Sequence, residues 1–185
     1  MQDYTIGFIG AGNMGRSLIG GLINDGLPAA RIQAFDTDGE RLAELTRHFG
    51  IGGAASPAAM AGAVDCLVLA VKPQVIKAVA IDLGTQVPAP GAVFVSIAAG
   101  VRSRDLARWL GESAAIVRAM PNTPALVGSG VTALVANAAV SERQHTLAEN
   151  VLRAVGSVLW LEDERLIDAV TAVSGSGPAY YFLFM

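Results

Sequence analysis

The sequence predicts an α/β fold, a doubly wound and mostly parallel sheet followed by the beginning of an all-helical unit. Three observations lead there. Short apolar runs alternate five times with stretches in which apolar residues recur every three or four positions. The short runs are continuously apolar, as strands covered on both faces are. A glycine-rich stretch at 10–15 falls between the first strand and the first helical pattern.

In chain order, residues 4–9 read as the first buried strand, and further strands are expected at 31–35, 63–71, 92–97 and 114–119, each bounded by Gly, Pro or Asp. Helical periodicity fills 14–24, 38–49, 73–81 and 102–110. Strand and helix alternating in this way close into right-handed crossovers and a parallel sheet. Pro121-Asn122-Thr123-Pro124 reads as a turn, after which an apolar run at 131–136 and a strand at 158–161 extend the sheet around a helix at 142–155. Glu162-Asp163-Glu164 suits a helix N-terminus, where carboxylates meet the positive end of the dipole. A new helical segment is expected from about residue 163, through Ser174-Gly175-Ser176-Gly177-Pro178, to the apolar stretch 180–185. The reading is a dinucleotide-type domain over 1–162 and the start of a second, helical domain over 163–185, cut off soon after it begins. No internal repeat or low-complexity tract interrupts this order.

Composition removes several classes of function. Apolar residues make up 52% and charged residues 16%, far from the signature of disorder. A net charge of −3 leaves no basic footprint for a nucleic acid. The charge-free stretches 83–101 and 119–141 are long enough to raise the question of a membrane, but Pro88, Pro90 and Gly91 interrupt the first, and Pro121, Asn122 and Pro124 the second. The N-terminus carries no basic segment of a signal peptide, and the lone Cys66 can form neither an intramolecular disulfide nor a metal-ligand pattern. A cytoplasmic location with no membrane partner and no metal is the expectation.

Gly10-Ala11-Gly12-Asn13-Met14-Gly15 fits G-x-G-x-x-G and stands where a strand hands over to a helix, so a Rossmann-type domain binding NAD(H) or NADP(H) is expected. Gly10 permits the turn, Gly12 lets the backbone approach a pyrophosphate, and Gly15 allows helix and strand to close. Asp36 ends the second strand about 20 residues further on, where a carboxylate accepts from a ribose 2′-hydroxyl. With Asp38 beside it this favours NAD(H), unless Arg41 offsets the charge against a 2′-phosphate. Asp38 also reads as the N-cap of the following helix. Ala70-Val71-Lys72-Pro73 ends another strand and is expected to touch the cofactor, with Lys72 open to two readings, a phosphate or substrate contact or a solvated lysine. Ser96-Ile97-Ala98-Ala99-Gly100 leaves room for a nicotinamide ring, and Ala98 is placed at the cofactor. No acid or base volunteers: His48 and His145 read as surface or packing residues, and the catalytic residue is left unassigned. Reduction of a C=N bond already carrying its proton asks for little more than hydride positioning, which suits this sequence better than alcohol oxidation does.

Gly7-Phe8-Ile9-Gly10-Ala11-Gly12-Asn13-Met14-Gly15, Ala70-Val71-Lys72-Pro73-Gln74, Met120-Pro121-Asn122-Thr123-Pro124 and Val173-Ser174-Gly175-Ser176-Gly177-Pro178-Ala179-Tyr180 together resemble pyrroline-5-carboxylate reductase. The resemblance implies the last step of proline biosynthesis, reduction of 1-pyrroline-5-carboxylate to proline by a nicotinamide cofactor. It favours NADP(H), where Asp36 favours NAD(H), and it implies a homodimer or higher homo-oligomer made through a C-terminal helical domain that completes the substrate site. It places Asn122, Ser174, Gly175, Ser176 and Gly177 near the substrate, and Ser56 where many members present an asparagine to the cofactor. The glycines and Pro178 also read as a helix break or kink. The family's later Pro-Gly-Gly-Thr motif has no counterpart before Met185. The alternatives are an enzyme like the β-hydroxyacid dehydrogenases, whose pattern at 120–124 differs, and a non-catalytic dinucleotide-binding regulatory domain.

Overall fold

The first strand, β1 (Ile6–Ile9), is Ile-Gly-Phe-Ile with all four residues buried, as a central parallel strand requires. The strands that follow are β2 (Ile32–Phe35), β3 (Gly52–Gly53), β4 (Cys66–Leu69), β5 (Val93–Ser96), β6 (Ile116–Met120), β7 (Gly130–Ala136) and β8 (Gly156–Trp160). This computed structural model describes residues 4–86 and 91–184; Pro88, Pro90 and Met185, used in the sequence reading, lie outside the described residues. One sheet in the order β3-β2-β1-β4-β5-β6-β7-β8 contains every strand among the described residues, and all its pairs are parallel except β6 with β7. The antiparallel step follows from a short connection: only nine residues separate β6 from β7, too few for a crossover helix.

Helices cover both faces. On one side lie α1 (Asn13–Asn24), α2 (Gly39–Phe49) and α6 (Glu142–Arg153), whose Leu18, Leu45 and Val151 join Phe8, Val68 and Val117 in one core. On the other lie α3 (Pro57–Ala61), α4 (Pro73–Gln86) and α5 (Ser103–Leu110), whose Met60, Ile76 and Leu106 meet Ile9, Leu69 and Phe94. Helices α2, α3, α4 and α6 start where the sequence provides an acceptor or a proline, whereas α1 and α5 carry no side-chain cap. Asp38 caps α2 by accepting from Arg41 N, as expected, and Ser141 with Gln144 forms a full capping box on α6.

Strands β1, β2, β4, β5 and β6 are shorter than the apolar runs that announced them, because residues at the ends of those runs belong to the loops, whereas β7 and β8 are each one residue longer and begin at a glycine outside the run. The two-residue strand β3 and the short α3 went unread as elements: a Gly-Gly pair and five residues carry no periodicity. The turn expected at 121–124 leads into a 3-10 helix over Thr123–Val127. The helical segment expected from residue 163 begins as α7 (Leu166–Val170), whose Ile167 packs with Ala133 and Val135 on β7. The helix is not broken at the glycines. Thr171–Ser176 form a wide π-helical turn that runs directly into α8 (Gly177–Phe184). Among the described residues no helix is long and apolar enough to cross a membrane.

Close packing of α1 makes one stability prediction. A Cβ on Gly21 would stand 2.9 Å from Val155 Cγ1 and against the Ala154 carbonyl. In an open helix Gly→Ala stabilises by about 1 kcal/mol; here Gly21→Ala should instead cost about 1–3 kcal/mol of unfolding free energy by overpacking. Gly20→Ala, which meets only the half-buried Phe49 ring at 3.2 Å, should change urea stability less.

Candidate functional site at the carboxyl edge of the sheet

The chain passes from β1 outward to β2 and β3, then returns to the other side of β1 for β4. Loops leaving β1 and β4 therefore diverge, and the crevice between them lies at the carboxyl ends of the strands. The register places Phe35, Ile9, Leu69, Ser96 and Arg118 in one row across this edge. Fingerprint loop 10–15, Asp36, the 70–73 loop and Ala98 all follow within two residues of that row or lead directly from it.

Gly10 has φ +106°, and a Cβ there would run into the Ala70 carbonyl, so the first glycine is required both by its conformation and by the neighbouring loop. Gly15 lies 2.5 Å, measured from a hypothetical Cβ, from Gly10 O. Gly12 is different: its φ of −71° suits any residue, and nothing lies within 4 Å of where its Cβ would be. Bare backbone there faces open space at the start of α1, and α1 has no side-chain cap on its N-terminal N–H groups. Such an uncapped start is a cradle that could hold an anion such as a pyrophosphate, through its N–H groups and the helix dipole. Asn13 and Met14 open α1 on the rim of this cradle.

Asp36 does more than its position in sequence suggested. Its Oδ2 accepts from Ala11 N at 2.7 Å and its Oδ1 from Asp38 N at 2.9 Å, with Arg41 Nη1 at 3.7 Å. The carboxylate thus ties the fingerprint loop to the loop after β2. Ser56 caps α3 by accepting from Ala59 N. Lys72 is exposed and precedes Pro73, the first residue of α4. Val71 is partly buried and Ala70 N donates to Ile9 O, holding the β4 loop beside β1. Ala98 is buried behind the end of β5.

The 174–177 segment reaches the same edge. Asn122 Nδ2 donates to Ser174 Oγ at 3.0 Å, while Asn122 Oδ1 accepts from Val131 N at 2.9 Å. Gly175 lies against Met120, since a Cβ there would meet Met120 Cε at 2.7 Å. Ser176 and Gly177 follow at the end of the π-helical turn, partly buried. A π turn misaligns successive backbone groups and recurs at functional sites.

Two residues escaped the sequence reading. Arg118, on β6, is buried, and its Nη1 donates to Glu164 Oε1 at 2.6 Å; the same oxygen accepts from Ser103 N at 2.7 Å. Burial alone would push the Glu164 carboxyl up, but the hydrogen bonds from Ser103 N and Arg118, with the arginine's charge, outweigh it and hold the carboxyl below its ordinary value of 4.5. Glu164 was visible only as one of three acids at a helix start. The histidines stay away from the edge: His145 stacks on Trp160 with centroids 3.6 Å apart, and His48 is exposed against Phe49. Cys66 is fully buried, its thiol pushed up by burial, and it is inert. A groove of 620 Å³ between α1 and the 123–127 turn shares only Asn13 with the fingerprint and lies off the strand ends.

The Glu164 link makes a pH prediction. Its folded pKa is depressed, so the carboxylate contributes stability above the unfolded value of 4.5, and this is lost as pH falls through the folded pKa. Urea midpoints should fall between pH 5 and pH 3, taken as a rough window, and Glu164→Gln should fall less over it.

Residues 5–100 match the family described as NADP oxidoreductase, coenzyme F420-dependent. A pyrroline-5-carboxylate reductase from Pseudomonas aeruginosa is 52% identical over 185 residues, all of this chain and 67% of that protein. The structure of a pyrroline-5-carboxylate reductase from Coxiella burnetii superposes with a TM-score of 0.93 at 40% identity, covering 98% of this chain and 67% of the other. The Plasmodium falciparum pyrroline carboxylate reductase, solved with NADP bound, gives 0.86 at 27% identity, covering 100% and 67%. With this identity sustained along its whole length, and with the fingerprint and the Asn122–Ser174 contact meeting at one edge of the sheet, the chain belongs to the pyrroline-5-carboxylate reductase family.

Proposed function

We propose that this chain reduces the C=N bond of 1-pyrroline-5-carboxylate to proline, using a nicotinamide dinucleotide held at the β1–β4 crevice. The observation that carries the reading is the meeting, at one sheet edge, of the open Gly12 cradle and the Asn122-bonded Ser174 segment. The nicotinamide ring, when bound, supplies the hydride that the imine carbon accepts. Gly10 to Gly15 hold the pyrophosphate, Ala70 to Pro73 and Ser56 line the adenosine side, and buried Ala98 leaves a flat space where the nicotinamide ring rests. Ser174, Gly175, Ser176 and Gly177 offer hydroxyls and backbone N–H groups to the substrate carboxylate, with Asn122 fixing Ser174. A protonated imine needs no base as the hydride arrives, in keeping with the absence of histidine from this edge.

For coenzyme choice, NADH is the reading the charges support. A 2′-phosphate would lie beside both Asp36 and Asp38, and Arg41 is already engaged with them, at 3.7 Å and 3.0 Å. The family description and the NADP-bound relative speak for NADPH, reached if Arg41 turns from its aspartates. Residues 163–185 are taken as the start of a second, helical unit through which copies associate. Tyr180, Leu183 and Phe184 are exposed on α8 and form the apolar surface that such association would cover. The lone buried Cys66 suits the cytoplasm.

Coenzyme oxidation with 1-pyrroline-5-carboxylate, run separately with NADH and NADPH on protein that carries the C-terminal helical domain, tests this reading; no turnover with either coenzyme rejects the activity. A preference for NADH in kcat/KM is expected, and a preference of more than about tenfold for NADPH, near 1.4 kcal/mol, would move the 2′-site to Arg41. Gly12→Val should fold, since its backbone is unstrained and its side chain meets open space, yet lose coenzyme binding in calorimetry; unchanged affinity would remove the cradle from the fingerprint.

A further inference from the structure

Arg118 is the one charged side chain that is buried among the described residues, and it stands in the same register row as the strand ends that form the crevice. A buried ion pair adds little net stability over apolar side chains of similar volume, so stability alone does not explain it. What it adds is geometry. A single oxygen, Glu164 Oε1, receives Arg118 Nη1 from β6 and Ser103 N from the first residue of α5. The loop that ends at Ser103 begins at Ala98, on the nicotinamide side of the proposed site. The chain that begins at Glu164 enters α7 and reaches Ser174, itself bonded to Asn122 just beyond β6. Between these two loops the carboxylate is a joint with three fixed arms.

We propose that Glu164 is a positioning residue for the reduction: through Arg118 and Ser103 N it sets the separation between the loop after β5 and the Ser174–Gly177 segment, and so between hydride donor and imine. This rests on the functional reading above. Glu164 touches neither substrate nor coenzyme; it acts through the two segments it joins. Hydride transfer is sensitive to small changes of that separation, because reacting atoms must come within near-attack distance.

Steady-state kinetics of the enzyme test it with three variants. Glu164→Ala should raise KM for 1-pyrroline-5-carboxylate and lower kcat, together reducing kcat/KM by roughly tenfold or more, a displacement effect of the size misplacement produces, while coenzyme affinity stays close to wild type. Glu164→Gln keeps an acceptor for both donors and should recover most of that loss. The double replacement Arg118→Leu with Glu164→Leu should retain stability in urea, as apolar replacements of buried pairs do, yet keep the kinetic defect. A stable double variant with wild-type kcat/KM would overturn the proposal, as would a folded Glu164→Ala protein with unchanged kinetics. Absence of turnover in the wild type would reject the functional reading instead. Hydrogen exchange over residues 166–177 then decides the positioning role: faster exchange in the double variant at equal global stability supports it, and unchanged exchange overturns it.

Discussion

A parallel sheet brings the carboxyl ends of its strands to one edge, and the reversal of strand order between β1 and β4 opens that edge where two loops part. The rest of the structure follows from this constraint. Loops at the opening must be thin enough to let a ligand reach backbone N–H groups, which explains Gly10 against the Ala70 carbonyl and Gly12 facing open space. Thin loops carry few side chains to hold themselves in place. They need anchors from elsewhere.

Two carboxylates supply those anchors. Asp36 accepts from Ala11 N and Asp38 N, and Glu164 accepts from Ser103 N and Arg118, so each joins two or more segments through charge-assisted hydrogen bonds. Neither is placed as an acid or a base. Their work is to hold loops in place, each through hydrogen bonds from more than one residue. The same economy appears at Ser174, whose hydroxyl accepts from Asn122 while that asparagine also accepts from the start of β7. The π turn through 171–176 brings this segment to the sheet without breaking the helix, so glycines that read as a kink serve a wider turn instead.

Two groups of charges at this edge are paired. Arg41 lies between Asp36 and Asp38, and Arg118 is matched by Glu164. A bare carboxylate beside a dinucleotide would repel its phosphates, and a bare guanidinium inside the sheet would be costly to desolvate. The aspartates are met by the helix that follows them, and Arg118 by a residue 46 positions away, so only the second pair links local electrostatics to the placement of distant segments.

By itself the sequence determined the alternation of strands and helices, the fingerprint at 10–15, the cap at Asp38 and the approach of four motifs to one family, because each is a local pattern of polarity, glycine or spacing. The short β3 and α3 escaped because two and five residues hold no period. What only the tertiary structure decided was which distant atoms meet: Asp36 with Ala11 N, Asn122 with Ser174 across 52 residues, and Glu164 with Arg118 across 46. A buried arginine in a strand, or the last acid of three at a helix start, looks ordinary in sequence. Its partner is chosen by strand order and register, and these are properties of the whole packed sheet rather than of any segment within it.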